Sequence, residues 1–401
     1  MNRKESISYK KLLGISGLGW MFDALDVGLL SFIIAALKID WNLSVQQMGW
    51  IGSINSIGMA VGAFVFGILA DRIGRKNVFI ITLLLFSLGS GASAFTTTLT
   101  TFLILRFLIG MGLGGELPVA STLVSESVPA EKRGRVVVLL ESFWAVGWII
   151  SALISYFVIP NYGWEKALLL VMIPAFYALY LRFHLPDSPQ FQSIHKNEKL
   201  SVIQSIKEVW SKKYTRQTAM LWIVWFCVVF SYYGMFLWLP SVVLMKGFSL
   251  IKSFQYVLIM TLAQLPGYFT AAWLIEKIGR KFVLIVYLIG TGLSAYFFGT
   301  SESLSVLLAA GMFLSFFNLG AWGALYAYTP EQYPTIIRGT GSGMAASFGR
   351  IGGIFGPLLI PYLEAKHVSI MSIFTIFCIA IFIGALAVLF LGKETKKVEL
   401  M

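Results

Sequence analysis

Six ionisable side chains stand inside stretches that are otherwise apolar: Asp23, Asp26, Arg106, Glu116, Glu141 and Arg350. A carboxyl in such a place can load and release a proton, because burial penalises its charged form. A guanidinium there can grip a carboxylate through two charge-assisted hydrogen bonds. Asp23 and Asp26 are three apart and share one helix face. Arg106 and Glu116 are nearly three helical turns apart, so they do not form a simple intrahelical pair. Glu141 sits near the end of its stretch, where it could snorkel or pair with Arg135. This set suits proton-coupled movement of a charged solute. The three histidines, His184, His195 and His367, fall at helix ends or in loops without metal-ligand spacing. No nucleophile–base pair is in view, so neither an enzyme nor a cofactor or metal site is expected.

The elements that hold these residues follow from composition. Of 401 residues, 57% are hydrophobic and 12% charged, with a mean hydropathy of +0.79. Soluble domains carry about 25% charge, and no soluble core of this length could hide so much apolar surface. A soluble enzyme, a disordered chain and a disulfide scaffold are therefore excluded. Apolar stretches long enough to cross about 30 Å of hydrocarbon recur along the whole chain. They predict twelve helices, near 12–37, 47–70, 77–96, 101–124, 136–159, 165–183, 217–244, 254–275, 282–299, 305–329, 340–362 and 369–391. The first is too long for a signal-peptide core and contains two aspartates, so it reads as a retained span. Cys227 and Cys378 fall within helices, as packing residues rather than a disulfide.

The net charge of +12 is an orientation signal rather than a sign of nucleic acid. Of the 31 Lys and Arg, only Lys38, Lys166, Lys246, Lys252 and Lys366 fall on one side of the predicted bilayer, and Arg106 and Arg350 lie within spans. The rest crowd the other side. By the positive-inside rule both termini and the 184–216 loop are cytoplasmic, in a cell membrane crossed many times. That loop is polar and charged, and it divides the spans six and six. Its pattern predicts a short surface helix near 200–213, with Val202, Ile206 and Val209 on one side. The expected organisation is a bundle over 1–183, a linker over 184–216 and a second bundle over 217–401.

The halves repeat at a constant offset of 205. Asp71-Arg72-Ile73-Gly74-Arg75-Lys76 matches Glu276-Lys277-Ile278-Gly279-Arg280-Lys281. Glu126, Pro129, Arg133 and Gly134 match Glu331, Pro334, Arg338 and Gly339, and Ser142, Phe143 and Gly147 match Ser347, Phe348 and Gly352. Two six-helix halves related by an axis along the membrane normal are expected of alternating-access transporters, with the site between them near the midplane. The charges do not repeat. Asp23, Asp26, Arg106, Glu116 and Glu141 become Val228, Ser231, Gly311, Ala321 and Ala346, while Arg350 corresponds to Ala145. Residues required only by the scaffold should appear in both halves, so these unmatched charges point to function.

The run Gly67-Ile-Leu-Ala-Asp71-Arg72-Ile-Gly74-Arg75-Lys76 resembles the signature between helices 2 and 3 of the major facilitator superfamily, and the resemblance covers essentially the whole chain. It implies an all-α membrane fold of twelve helices in two pseudo-symmetric bundles. Glu126-x6-Arg133, Glu331-x6-Arg338, Pro186–Phe191 and Gly392–Thr395 are similar to the charge motifs of sugar-porter-type members. The resemblance assigns Asp71, Arg72, Gly74, Arg75, Glu126, Arg133, Glu276, Arg280, Glu331 and Arg338 to gates and structural braces. The glycine-rich helix around Arg106 and Glu116 is similar to a motif whose arginine is associated with proton coupling. The Gly-Pro motif of drug–proton antiporters in helix 5 is absent.

Gly19–Gly28 and Gly349–Pro357 resemble the metabolite–proton symporters for aromatic acids and their synaptic-vesicle-protein-like relatives. Residues 114–120 and Glu141–Trp148 narrow this to bacterial niacin permeases. The resemblance implies import of an aromatic monocarboxylate, nicotinate, with protons; an exporter of organic cations or drugs is the alternative. Arg350 would hold the carboxylate. Trp144 and Trp148, four apart on one face, with Tyr232 and Trp322 at mid-span depth, would stack on the ring, and Asn318 could meet the ring nitrogen. Asp23, Asp26 and Glu116 are the protonatable candidates, with Arg106 stabilising the ionised state. Trp41, Trp50 and Trp164 read as an interfacial belt. The expected partners are a small carboxylate, protons and lipid, without nucleic acid, for a monomer.

Overall fold

The computed structural model describes residues 9–73, 75–127, 130–174, 176, 177, 180 and 202–396, without the side chains at 9, 10, 12, 64, 67–73, 75, 76, 115–127, 130–134, 202, 205, 335, 336, 338 and 339. Its helices are α1 (Tyr9–Asp40), α2 (Val45–Ile73), α3 (Arg75–Ser93), α4 (Leu99–Ser127), α5 (Ala130–Phe157), α6 (Ile159–Tyr162), α7 (Trp164–Leu170) and α8 (Val202–Val209). They continue with α9 (Thr215–Phe236), α10 (Leu239–Met245), α11 (Leu250–Leu262), α12 (Gln264–Lys277), α13 (Arg280–Thr300), α14 (Leu304–Glu331), α15 (Thr335–Glu364) and α16 (Ile370–Leu391). Among the described residues, eight spans have the length and hydropathy to cross a bilayer. With α2, α3, α4 and the stretch from Trp164 the order is that of a twelve-helix membrane fold. Helices suit this setting because each satisfies its backbone polar groups internally.

Two expected helices are broken. The seventh span stops at Phe236 and restarts at Leu239, and the eighth is interrupted at Ala263. Pro240 sits in the first turn of α10, where its missing N–H leaves no bond unmade; Pro266 does the same early in α12. The linker helix forms as α8, and it docks rather than floats: Thr218 Oγ1 donates to the Val209 carbonyl at 2.7 Å.

The internal repeat is visible in the packing. In the first half α1 packs on α5, α2 on α4 and α3 on α4; in the second α9 packs on α15, α12 on α14 and α13 on α14. These are the same pairs displaced by 205. Glycines show it atom by atom. A Cβ on Gly62 would strike the Met111 carbonyl, and one on Gly267 would strike that of Phe316. Gly147 lies against the Met21 carbonyl and Gly352 against that of Phe226. Each pair is the other shifted by 205, as close backbone approach through small residues requires. The two bundles meet along α2–α15 and α5–α12, again pseudo-symmetric equivalents, with α5 also touching α11 and α14.

The tryptophan belt needs correcting. Trp50 is exposed, but Trp164 is buried. It packs edge-on against Trp41 at 5.4 Å, and its Nε1 donates to Asp40 at 3.0 Å. The ring of Trp164 is buried in the fold, while its polar tip is bonded to the exposed Asp40 at the end of α1.

Candidate functional site

Facing residues of α1, α5, α9 and α14 form an aromatic cage between the bundles. Trp144 on α5 donates from Nε1 to the Tyr232 hydroxyl on α9 at 2.7 Å. The Tyr232 ring lies 4.8 Å from Trp322 on α14 and 4.9 Å from Phe236, nearly parallel to the latter. Trp148 approaches Tyr232 edge-on at 6.5 Å. The expected set of Trp144, Trp148, Tyr232 and Trp322 is therefore brought together. Three rings not anticipated from the sequence complete the cage: Trp20 on α1, 5.3 Å from Trp144, Tyr326 on α14, and Trp225 on α9, 4.9 Å from Tyr326.

Several buried polar atoms on α12 and α14 have no hydrogen-bond partner among the described residues. Asn318 is buried with both amide atoms unbonded, and so is Gln264 on α12. Nε1 of Trp322, the Ser315 hydroxyl and the Tyr268 hydroxyl are likewise unpartnered among the described residues. A buried amide or hydroxyl left unbonded costs about 1–3 kcal/mol, so such a concentration marks where a polar ligand or water belongs. Gln264 could have been suspected from sequence as an uncharged polar residue within an apolar run.

Arg350 lies at the α2–α15 seam, buried, with Nη1 donating to the Tyr233 hydroxyl at 3.1 Å and 3.8 Å from the Met59 sulfur. Tyr233 adjoins Tyr232, their rings 5.2 Å apart, so the guanidinium abuts the cage. Neither contact neutralises its charge. The pair at Asp26 is different. Arg106 Nη1 reaches Asp26 Oδ2 at 3.2 Å, both fully buried, and Ser90 donates to the other oxygen. Arg106 also lies over the Phe102 ring. All these partners belong to the first bundle, so Asp26 is engaged within it rather than directed across the interface. Asp23 is buried one turn away on α1.

Glu141 is buried too, 1% exposed, and it neither snorkels nor pairs with exposed Arg135. The Trp20 indole stands beside its carboxyl, while Oε2 has no hydrogen-bond partner among the described residues.

At the end of the molecule bearing the termini, Arg280 joins Glu276 at 3.2 Å and Glu331 at 3.1 Å. Thr395 donates to Glu331 at 2.6 Å, and Glu394 accepts from the Arg280 and Lys281 backbone N–H groups. Of the other expected sites, Gly74 lies outside the described residues, and so do the side chains of Asp71, Arg72, Arg75, Glu116, Glu126, Arg133 and Arg338.

Comparison with known proteins agrees with this geometry. The chain matches the model of the Major Facilitator Superfamily over residues 17–267 and 255–400. It is 71% identical, over the full length of both chains, to a Bacillus subtilis protein named as a candidate niacin/nicotinamide transporter, NiaP. It is 47% identical to the niacin transporter NiaP of Acinetobacter baylyi, over 96% of this chain and 94% of that one. Among solved structures, the proton:xylose symporter XylE superposes with a TM-score of 0.79 at 20% identity, covering 98% of this chain and 97% of that one, which is a likeness of fold. The repeat, the twin seams and the sequence matches converge: this chain belongs to the major facilitator superfamily.

Proposed function

We propose that the protein is a secondary transporter, not an enzyme, that imports nicotinate together with protons by alternating access through the cell membrane. The observation that carries this reading is Arg350: a buried guanidinium without a carboxylate partner among the described residues, beside a cage of aromatic rings. A flat ring bearing one carboxylate matches both features. Arg350 grips the carboxylate; Trp144, Trp148, Tyr232 and Trp322 embrace the ring, each good aromatic pair adding about 0.5–1.5 kcal/mol. Asn318 offers a donor to the ring nitrogen. The names of the Bacillus and Acinetobacter relatives support the same substrate.

The sequence candidates for proton coupling are Asp23, Asp26 and Glu116, with Arg106 paired to Asp26 in this conformation. The Asp26–Arg106 pair fastens α1 to α4 within the first bundle. The charged network of Glu276, Arg280 and Glu331 would brace the termini-bearing side, which we take to be cytoplasmic. An exporter of organic cations is less well supported, since the Asp26 carboxylate that would hold the cation is already neutralised by Arg106.

The test is uptake of labelled nicotinate into proteoliposomes with and without an inward proton gradient. Wild-type protein should concentrate nicotinate only with the gradient. Arg350→Ala should abolish uptake while leaving folding largely intact; undiminished uptake in that variant would overturn the assignment.

A further inference from the structure

Two kinds of buried acid occur in the membrane core, and they differ in what answers their charge. Asp26 has a guanidinium and a hydroxyl. Glu141 has neither. It lies on α5, the helix that touches α11, α12 and α14 of the opposite bundle. The groups that interact with its carboxyl are Trp20 from α1, Tyr268 from α12 and Tyr326 from α14. None is basic. The other titratable groups of this cage include Tyr232 on α9 and Arg350 on α15, which is bonded to Tyr233. On α1, Asp23 lies one turn from Trp20 and Asp26 pairs with Arg106. The ionisable residues of α11, Lys252 and Tyr256, stand near its start, and Lys252 is exposed. An isolated buried carboxylate is expensive unless it is paired or neutralised, and the acid form of Glu141 is the one these surroundings accommodate. Its symmetry mate is Ala346, so the bundle contact itself does not require an acid there.

We propose that Glu141 carries the proton that crosses with the substrate, a role that rests on the transport reading above. When its side of the α5–α12 seam opens to water, the carboxylate takes one proton from solvent at an oxygen; when the opposite side opens, the same O–H bond breaks and the proton passes to water. No other bond changes. The rings supply the link to the substrate: Trp20, beside Glu141, lies 6.3 Å from Tyr326, which lies 5.9 Å from Trp322, the neighbour of Tyr232. A carboxylate arriving at Arg350 repels the ionised form of Glu141 and so favours occlusion with the proton aboard. The Asp26–Arg106 pair then acts as a latch inside the first bundle, and the travelling charge is balanced at the seam.

The experiment compares wild type with Glu141→Gln, which is fixed in a neutral form of similar shape, in proteoliposomes with labelled nicotinate. E141Q should retain exchange of internal for external nicotinate, yet lose gradient-driven accumulation and the pH dependence of uptake. Accumulation by E141Q with the wild-type pH profile overturns the assignment. Wild-type vesicles that fail to concentrate nicotinate under a proton gradient overturn the transport reading and this role with it. Should E141Q not assemble, Glu141→Asp keeps an acid on a shorter stem: a displaced pH midpoint of uptake supports the role, and an unchanged midpoint overturns it.

Discussion

Asp26 and Glu141 are both sealed from solvent, at 1% exposure each, yet they sit in opposite electrostatic settings. Asp26 is enclosed within one bundle by α3 and α4, with a guanidinium on one oxygen and a hydroxyl on the other. Glu141 lies where the bundles meet, among rings, with Oε2 unpartnered. Burial alone therefore does not say whether an acid is charged; the partner does. The contrast also assigns labour. A charge answered inside a bundle stiffens that bundle, while an unanswered acid at a moving seam is free to change its proton count as the seam opens.

The sharpest way to break the comparison is to remove the answer at Asp26. Arg106→Ala should lower stability by about 3–5 kcal/mol, because the carboxylate is left buried and uncompensated; thermal unfolding in detergent measures this. Adding Asp26→Asn should restore part of the loss, and an absence of rescue would show that Arg106 acts through packing on Phe102 instead. Ser90→Ala removes a hydrogen bond to a charged acceptor and should cost about 1.5–3 kcal/mol by the same assay. Trp144→Phe keeps an aromatic ring but deletes the bond to Tyr232 and part of the buried indole, for a loss of roughly 1–2 kcal/mol. Glu141→Gln should be the mildest, within about 1 kcal/mol of wild type, since the amide keeps the shape of the carboxyl and no basic partner among the described residues is lost. If Glu141→Gln proved as damaging as Arg106→Ala, an ionised Glu141 with a firm partner would be indicated. The substrate side gives a parallel reading: nicotinamide, which lacks the anionic charge, should compete with nicotinate about 10–100-fold less well, by the loss of charge-assisted bonds to Arg350.

Particular residues show how much was legible beforehand. The twelve spans, the repeat and the grouping of Trp144, Trp148, Tyr232 and Trp322 follow from hydropathy, register and helical spacing, and the structure draws those four rings together. Trp20, Trp225 and Tyr326 escaped notice because an aromatic in an apolar span suits a lipid face, a core or a cavity equally well. The position of Trp164 near a helix end suits the interface, yet its ring is buried against Trp41 and only its indole nitrogen reaches the exposed Asp40. The breaks in the seventh and eighth spans were signalled by Pro240 and Pro266, yet prolines are tolerated in membrane helices often enough that the signal alone is weak.

The sequence by itself determined that this chain spans a membrane in two related halves and that its charges occur in one half without counterparts in the other. Hydropathy and a fixed offset suffice for that, because the cost of placing polar groups in hydrocarbon acts residue by residue. Which of those charges has an answer was decided only by the tertiary structure. Asp26 and Arg106 are 80 residues apart, and Glu141 meets its neighbours across three helices. Electrostatic pairing in a low-dielectric interior depends on separations of a few ångströms between helices, and no linear pattern of residue types carries those separations.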